Sequence, residues 1–235
     1  MLFLVGSPIG NLNDITLRAL AVLQEVTLVA AEDTRRSAIL LKHFEISKPL
    51  VSFHEHNEAR RTSELLEKMR AGEKVALITD AGMPSISDPG YRIVRACVEN
   101  GIQVEVIPGP SAVLTALVGS GLPTDRFYFG GFLPVKSGQR ERELVSALTR
   151  EVTSVYFESP HRIVRSLEVI GKQDPARSIC VARELTKHFE EYRRGDVTTV
   201  LSHYAAHPPK GEITLVIAGR LKRTQESGAT HGESA

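Results

Sequence analysis

Two aspartates, two serines and two glycines lie close together in the sequence DAGMPSISDPG at residues 80–90. They follow the apolar run KVALI at 74–78, which is typical of a buried strand. Small residues after such a strand leave backbone groups accessible, and open α/β sheets bind ligands at the carboxyl ends of their strands. The segment therefore predicts a ligand site at a sheet edge, with two carboxylates available for polar contacts.

Four other segments of the first half have a similar character and follow predicted strands. They are GSPIGN at 6–11, AEDTRR at 31–36, SFHEHNE at 52–58 and PGPSA at 108–112. Taken singly, each of them also has an ordinary structural explanation. The glycine-bearing loops fit turns, AEDTRR fits a helix cap, and the histidines of SFHEHNE fit solvated or capping side chains. Because these loops should reach the same edge of one sheet, we infer that they contribute to one site.

The kind of ligand is restricted by what these loops lack. Neither G-x-G-x-x-G nor G-x-x-x-x-G-K-[ST] is present, and Pro8 removes a backbone donor that a phosphate would need. A nucleoside triphosphate or dinucleotide site is therefore disfavoured. The two histidines at 52–58 have a spacing that fits no usual zinc site, so we expect no metal.

The second half adds four polar segments at predicted strand or helix ends. They are LPVKSGQR at 133–140, YFESPHR at 156–162, ARELTK at 182–187 and KGEITLVI at 210–217. Glu158, Arg183 and Glu184 follow strands and could face a cleft. Taken singly, these charged residues fit interdomain salt bridges equally well.

Strands and helices alternate through the first half, which predicts a mostly parallel sheet covered on both faces. We expect a helix to begin with Asp88 as its N-cap and to turn Tyr91, Val94 and Val98 inward. Strands are predicted at 2–5, 27–31, 50–53, 74–79 and 103–107. Helices are predicted from 14 or 16 to 26, and at 34–44, 57–71, 88–101 and 111–119.

The second half is predicted to hold a mixed sheet, because residues 179–194 are typical of a hairpin. Its strands are expected at 127–132, 153–157, 178–183, 190–194 and 213–218. Its helices are expected at 139–150, from Ser159-Pro160 onward and at 197–206. The turn residues at 121–125 indicate a domain boundary. We therefore predict α/β domains at 1–121 and 122–222, and a disordered tail at 223–235.

Composition and charge exclude several classes of protein. The 235 residues carry a formal net charge of +1, which does not indicate a whole-protein electrostatic grip on nucleic acid, although a local basic patch is possible. Cys97 and Cys180 lie far apart in apolar surroundings and are expected to be buried free thiols. A strand that begins at Leu2 leaves no room for a signal peptide, and no apolar run could span a membrane. We expect a cytoplasmic protein.

At these motifs the chain resembles the tetrapyrrole methylase superfamily. The likeness is carried by GSPIGNL, AEDTR, HEHNE, DAGMPSISDPG, PGPSA, GFLP, ES-x-HR, ARELTK and the GE before the last strand, in the expected order from about residue 2 to 219. Porphyrin-modifying members have a VGxGPGD-like first loop and an RLKxGDP-like segment, whereas this chain reads VGSPIGN and LITDAGMPSISDP. These departures favour the RNA-modifying branch.

The resemblance implies two α/β domains with S-adenosylmethionine in the cleft between them, and a homodimer. It also implies 2′-O-methylation of a cytidine ribose in the decoding region of 16S rRNA. Because the net charge is near zero, we expect recognition of substrate shape, and a partly assembled small ribosomal subunit is more plausible than naked RNA. The residues that would line the cofactor cleft are Pro8, Asp80, Ala81, Gly82, Met83, Ser87, Asp88, Ser111, Ala112, Phe157, Ala182, Gly211 and Glu212.

Methyl transfer to a hydroxyl needs alignment and removal of a proton. The candidate bases are Glu32, Asp33, Glu158 and Glu184, and nothing in the sequence ranks them. The residues that could hold phosphates or lower the hydroxyl pKa are Lys136, Arg183 and Lys187. The candidate RNA contacts are Arg35, Arg36, Arg60, Arg61, Arg162 and Arg165.

Three alternative functions rank behind this interpretation. A methylase of a porphyrin or corrin precursor would need a broad apolar trough. A non-enzymatic ligand-sensing module would bind the cofactor without turnover. A nucleotide hydrolase would need a phosphate loop and a recognisable cluster of metal-binding carboxylates.

Overall fold

The first sheet of the computed structural model, which describes residues 1–220, has five parallel strands in the order β3-β2-β4-β1-β5. The strands are β1 (Leu2–Val5), β2 (Leu28–Ala31), β3 (Leu50–Ser52), β4 (Val75–Ile78) and β5 (Val104–Ile107). Its helices are α1 (Leu17–Glu25), α2 (Thr34–His43), α3 (Glu58–Arg70), α4 (Tyr91–Glu99) and α5 (Ala112–Ser120). The predicted parallel sheet is confirmed.

The second sheet also has five strands, in the order β6-β7-β10-β8-β9. Only the β6–β7 pair is parallel, so the sheet is mixed, as predicted. The strands are β6 (Phe127–Phe132), β7 (Thr153–Glu158), β8 (Ser178–Arg183), β9 (Glu191–Asp196) and β10 (Ile213–Ile217). The helices are α6 (Ser137–Thr149), α7 (Ile163–Gln173) and α8 (Val197–Ala206). The tail predicted at 223–235 lies outside the described residues.

Both faces of the first sheet are buried. Phe3 and Val5 pack in one core cluster, whereas Leu2 and Leu4 pack in another, because side chains alternate along a strand. All four residues of β4 are buried as well. This double burial is why the strands read as continuous apolar runs rather than alternating ones.

Helix α5 joins the two sheets. Val113, Ala116 and Leu117 on its inner face pack with Val155, Cys180, Ala182 and Val216 of the second sheet in one apolar cluster. Leu114 and Val118 on its outer face are exposed. An Arg194 guanidinium and the Tyr192 hydroxyl of β9 also donate hydrogen bonds to carbonyls of this helix. The first half of the chain therefore reaches into the core of the second.

The predicted start of α4 is wrong. The helix begins at Tyr91, after Gly90 with φ +145°, and Asp88 lies in the preceding loop rather than at the N-cap. With this start the inward face carries Ile93 and Cys97, whereas Tyr91 and Val98 are exposed. Val94 is partly buried against the core. Helix α7 likewise begins at Ile163 rather than at the predicted Ser159-Pro160.

Candidate active site

A cleft of about 410 Å³ lies where the carboxyl ends of the first sheet face the second sheet. Its walls are contributed by loops after β1, β2, β4 and β5 and by segments around β6, β7 and β10. The structure brings together the following predicted cofactor residues as its lining: Asp80, Ala81, Gly82, Met83, Ser87, Asp88, Ser111, Ala112, Phe157, Gly211 and Glu212. Pro8 lines an adjoining cavity of about 280 Å³. Ala182 is buried in the core and lines neither.

Three loops at the carboxyl ends of the first sheet's strands are joined by backbone contacts. Ser7 and Gly82 exchange two backbone hydrogen bonds, at 2.9 and 3.1 Å, and the Ser7 hydroxyl donates to the Thr79 carbonyl at 3.0 Å. Gly6 and Gly109 touch so closely that a Cβ on Gly109 would lie 2.7 Å from the Gly6 Cα. The glycines therefore allow the loops after β1 and β5 to pack backbone against backbone.

Three carboxylates give the cleft its electrostatic character. Asp80 accepts a hydrogen bond from the Asp33 amide at 3.1 Å and forms an ion pair with Arg36 at 3.2 Å. The Glu32 carboxylate accepts from the Asp80 amide at 3.3 Å. Burial raises the pKa of Glu32, and burial together with the charge of Glu32 raises the pKa of Asp88 to about 7. Such a site favours a cationic ligand.

Two of the candidate bases line the cleft, and their carboxylates differ in what they already bind. Glu158 is buried and accepts hydrogen bonds from the Ser159 amide at 2.7 Å, Arg162 Nε at 2.9 Å and the Ser166 hydroxyl at 2.6 Å. These hydrogen bonds connect the Glu158 carboxylate to the start of α7. Glu32 accepts the single bond from Asp80 in addition to its charge contacts.

The other two candidate bases, Asp33 and Glu184, already accept hydrogen bonds from residues next to them. Asp33 caps α2 through the Arg35 amide, and the hydrogen bonds from Arg35 hold the pKa of this carboxyl well below its usual range. Glu184 accepts from Lys187 Nζ and from the Glu212 amide, both at 2.9 Å. The Lys187 bond lowers the pKa of Glu184.

The predicted basic residues are spread over different places. Lys187 lines the smaller cavity, Lys136 is exposed just before α6, and Arg183 pairs with Glu191 at 3.1 Å. Arg36 lines both cavities. The remaining predicted RNA contacts form ion pairs or are exposed: Arg35 with Asp33, Arg60 and Arg61 with Glu64, Arg162 with Glu158, and exposed Arg165.

Sequence reasoning missed several apolar residues of the cleft wall. They are Ile9, Ile86, Val113, Phe132, Leu185 and Ile213, with Ser159, Pro160 and Thr214 beside them. Their types are ordinary in any core, so only their position at strand ends could have indicated them. In residues 1–220 no helix is long and apolar enough to cross a membrane.

The class of protein follows from this fold and cleft. A profile of the family Tetrapyrrole (Corrin/Porphyrin) Methylases matches residues 1–201, and the chain belongs to this family. Solved structures with the same fold include the methyltransferase CobJ (TM-score 0.69, 18% identity, 95% of each chain). Another is uroporphyrin-III-C-methyltransferase from Thermus thermophilus (TM-score 0.66, 24% identity, 92% of this chain and 93% of that one).

Much more similar relatives carry one name, Ribosomal RNA small subunit methyltransferase I. The Synechocystis sp. protein is 48% identical over 97% of this chain and 82% of its own length. The Thermotoga maritima protein is 47% identical over 93% of this chain and 98% of its own length. The chain is therefore a methyltransferase, and the predicted family and fold class are confirmed.

Proposed function

We propose that this methyltransferase moves the methyl group of S-adenosylmethionine to the 2′-hydroxyl of a cytidine ribose in the decoding region of 16S rRNA. The observation that carries the proposal is near-full-length identity of 47–48% to proteins named for small-subunit rRNA methylation. The proposed substrate is the RNA within a small ribosomal subunit, and the proposed setting is the cytoplasm. With a net charge of +1, shape recognition suits this chain better than a strong charge-driven grip.

The residues of the cleft fit S-adenosylmethionine. Its sulfonium and ammonium groups are cationic and suit the acidic cluster of Glu32, Asp80 and Asp88. Its adenine suits the apolar wall around Met83 and Phe157, and it needs no phosphate loop. When bound, the cofactor supplies an electrophilic methyl group.

We propose the smaller cavity as the entry for the acceptor ribose, because a methyl transfer needs donor and acceptor sites side by side. The two cavities share wall residues, namely Ile9, Arg36, Asp80, Ala81 and Glu212. Lys187 and Arg36 place positive charge there, which suits a flanking phosphate.

We propose Glu32 as the group that takes the hydroxyl proton. Burial raises its pKa, which makes it a better proton acceptor than an ordinary carboxylate, and it lies in the cleft wall. Glu158 is less suited because its oxygens already accept three hydrogen bonds. With its proton taken by Glu32, the ribose oxygen could accept the methyl group that bound S-adenosylmethionine would supply, the electron pair of the sulfur–methyl bond staying with the sulfur.

The resemblance also supports a homodimer, which we propose with α5 at the surface between copies. Leu114 and Val118 on its outer face are 51% and 75% exposed, more than aliphatic residues of a packed helix usually are. The domain division at residue 121 is proposed on the turn residues at 121–125. Light scattering at micromolar concentration should give twice the 25.8 kDa chain mass.

The decisive experiment compares ribose methylation of 16S rRNA in a strain that lacks the gene, in its parent and in a strain with the gene restored. We expect one cytidine to lose and regain its 2′-O-methyl group. Purified protein with labelled donor should methylate small subunits from the deletion strain but not those from the parent. Identical methylation maps in deletion and parent strains would refute the rRNA assignment.

A further inference from the structure

The motif HEHNE at 54–58 belongs to the predicted site but does not reach it. None of its five residues lines either of the two cavities. Asn57 closes the turn locally, since its side chain accepts from the His54 amide at 2.9 Å and donates to the Ser52 carbonyl at 3.2 Å. This turn sets the position of Glu58, the first residue of α3.

Glu58 makes a buried contact with another element. Its side chain accepts a hydrogen bond from the Gly90 amide at 3.1 Å and lies 3.6 Å from Arg92 Nε. The residue is 9% exposed. Gly90 is the N-cap residue of α4, and as a glycine it has no side chain that could accept a hydrogen bond from the amides of the first turn. A carboxylate that accepts from the N-cap amide does the work of the glutamate in a capping box, here supplied by a different helix.

The loop before Gly90 needs such support. Ser85 and Ser87 have φ values of +72° and +62°, a region that non-glycine residues rarely adopt. The hydrogen bonds inside the loop are long, at 3.3 Å from the Ser85 amide to the Pro89 carbonyl and 3.4 Å from the Ile86 amide to the Met83 carbonyl. A backbone in this conformation persists only where its surroundings hold it.

The same loop forms one wall of the cleft, through Met83, Ile86, Ser87 and Asp88. In an ordinary helix start the Asp88 side chain would cap α4 and would be unavailable to the cleft. With Glu58 at the Gly90 amide, Asp88 is free to line the cavity. The two carboxylates thus divide the tasks of holding the helix and facing the ligand.

We infer that Glu58 is a positioning residue that holds the loop at 83–90 in its donor-binding conformation through the Gly90 amide. This role rests on the proposed binding of S-adenosylmethionine in the cleft. It assigns the glutamate of HEHNE a task outside metal binding and catalysis.

The test measures donor affinity by calorimetry with S-adenosylmethionine and hydrogen exchange of peptides that cover residues 83–92. Glu58→Ala should raise the Kd about tenfold, the effect of losing one buried hydrogen bond to a charged group, and should speed exchange in that loop. Glu58→Gln keeps an acceptor oxygen and should stay within about threefold of wild type. Glu58→Asp, one methylene shorter, should behave as the alanine variant does and serves if the latter does not fold.

The matched control is Met69→Ala, a buried position in the last turn of α3 that packs in the core away from Gly90. It should lower the unfolding temperature without changing Kd or loop exchange. If Glu58→Ala matches this control, or if Glu58→Gln is as defective as Glu58→Ala, the inference is wrong.

The outcomes also separate this inference from the proposed function. Altered donor binding in the Glu58 variants, with no methylation of small subunits by wild type, would remove the rRNA assignment alone. If wild type bound no donor, the donor site itself would fail, and the exchange data would still decide whether Glu58 holds the loop.

Discussion

The carboxylates of the cleft are placed where they cost the folded protein stability. Burial raises the pKa of both Glu32 and Asp88, and a neighbouring negative charge adds to this, from Asp80 at Glu32 and from Glu32 at Asp88. Arg36 offsets part of this at Asp80, and it is itself two-thirds exposed. Such an arrangement is common at binding sites, where a ligand of opposite charge completes the electrostatics.

Asp88→Asn should therefore stabilise the unliganded protein in a pH-dependent way. Asp88 has a folded pKa of about 7 against an ordinary value of 3.8, so wild type loses stability as the pH rises between these values and no further above them. At pH 8 the variant should unfold about 2–4 °C higher, a modest shift because solvent screens a partly exposed carboxyl. Thermal unfolding from pH 4 to pH 8 measures it, and the difference should shrink toward pH 4. A difference that does not vary with pH would contradict the raised pKa.

Asp80→Ala should weaken donor binding more than any change of an exposed aspartate. The substitution removes the ion pair with Arg36 and leaves the Asp33 amide without its acceptor. We expect Kd for S-adenosylmethionine to rise at least about tenfold, the usual loss for one partly buried charged partner. Calorimetry measures it, with Asp125→Ala in the exposed connection between the sheets as control. Equal affinities in the two variants would exclude Asp80 from the donor site.

At the scale of elements, the sequence pattern predicted the strands well and the helix starts less well. Continuous apolar runs such as VALI at 75–78 have one physical explanation, a strand buried on both faces. The segments DPG and SPH carry the usual signs of a helix start, but their helices begin later, at Tyr91 and Ile163. The Gly90 amide at the start of α4 donates instead to Glu58, which is distant in sequence, whereas the Ser159 amide before α7 donates to the adjacent Glu158. Local patterns do not contain such tertiary caps.

The close packing of the loops after β1 and β5 can be tested with one methyl group. Gly109→Ala would place a Cβ 2.7 Å from the Gly6 Cα, a backbone contact that cannot rotate away. We expect a loss of about 1–3 kcal/mol in the free energy of unfolding, the usual cost of overpacking, and weaker donor binding.

Gly138→Ala is the matched control for this clash. Its Cβ would meet Arg142 at 3.9 Å in ordinary contact, and the position is within α6. Because alanine has a higher helix propensity than glycine, the free energy of unfolding of this variant should rise by up to about 1 kcal/mol. Denaturant titration of both variants gives the values. If Gly109→Ala were as stable as wild type, the two loops would not be held in contact.

For the whole molecule, the alternation of strands and helices predicted two sheets and the sheet edge at which ligands would bind. The second-half contribution was harder to foresee, because Phe132, Leu185 and Ile213 reach the cleft only through the way the two sheets pack. Ala182 is the opposite case: the sequence predicts it in the cleft wall, but packing of α5 against β8 buries it in the core. Contacts between distant halves depend on the geometry of the joining helix, which residue types alone do not specify.

This joining predicts that donor binding stabilises both halves of the protein together. The cleft has Asp80 and Ser111 on one side and Phe157 and Gly211 on the other, and α5 lies in the core of the second sheet. A ligand that binds only the folded chain should therefore raise the midpoint of a single unfolding transition. At a concentration of S-adenosylmethionine of 100 times its Kd, the gain should be about 2.7 kcal/mol. Calorimetric scans with and without donor measure it. The control is the Asp80→Ala variant at the same donor concentration, whose gain should fall to about 1.4 kcal/mol or less if its Kd is at least tenfold higher. Two transitions, of which only one moves with donor, would show that the halves unfold independently and that the donor is held by one of them.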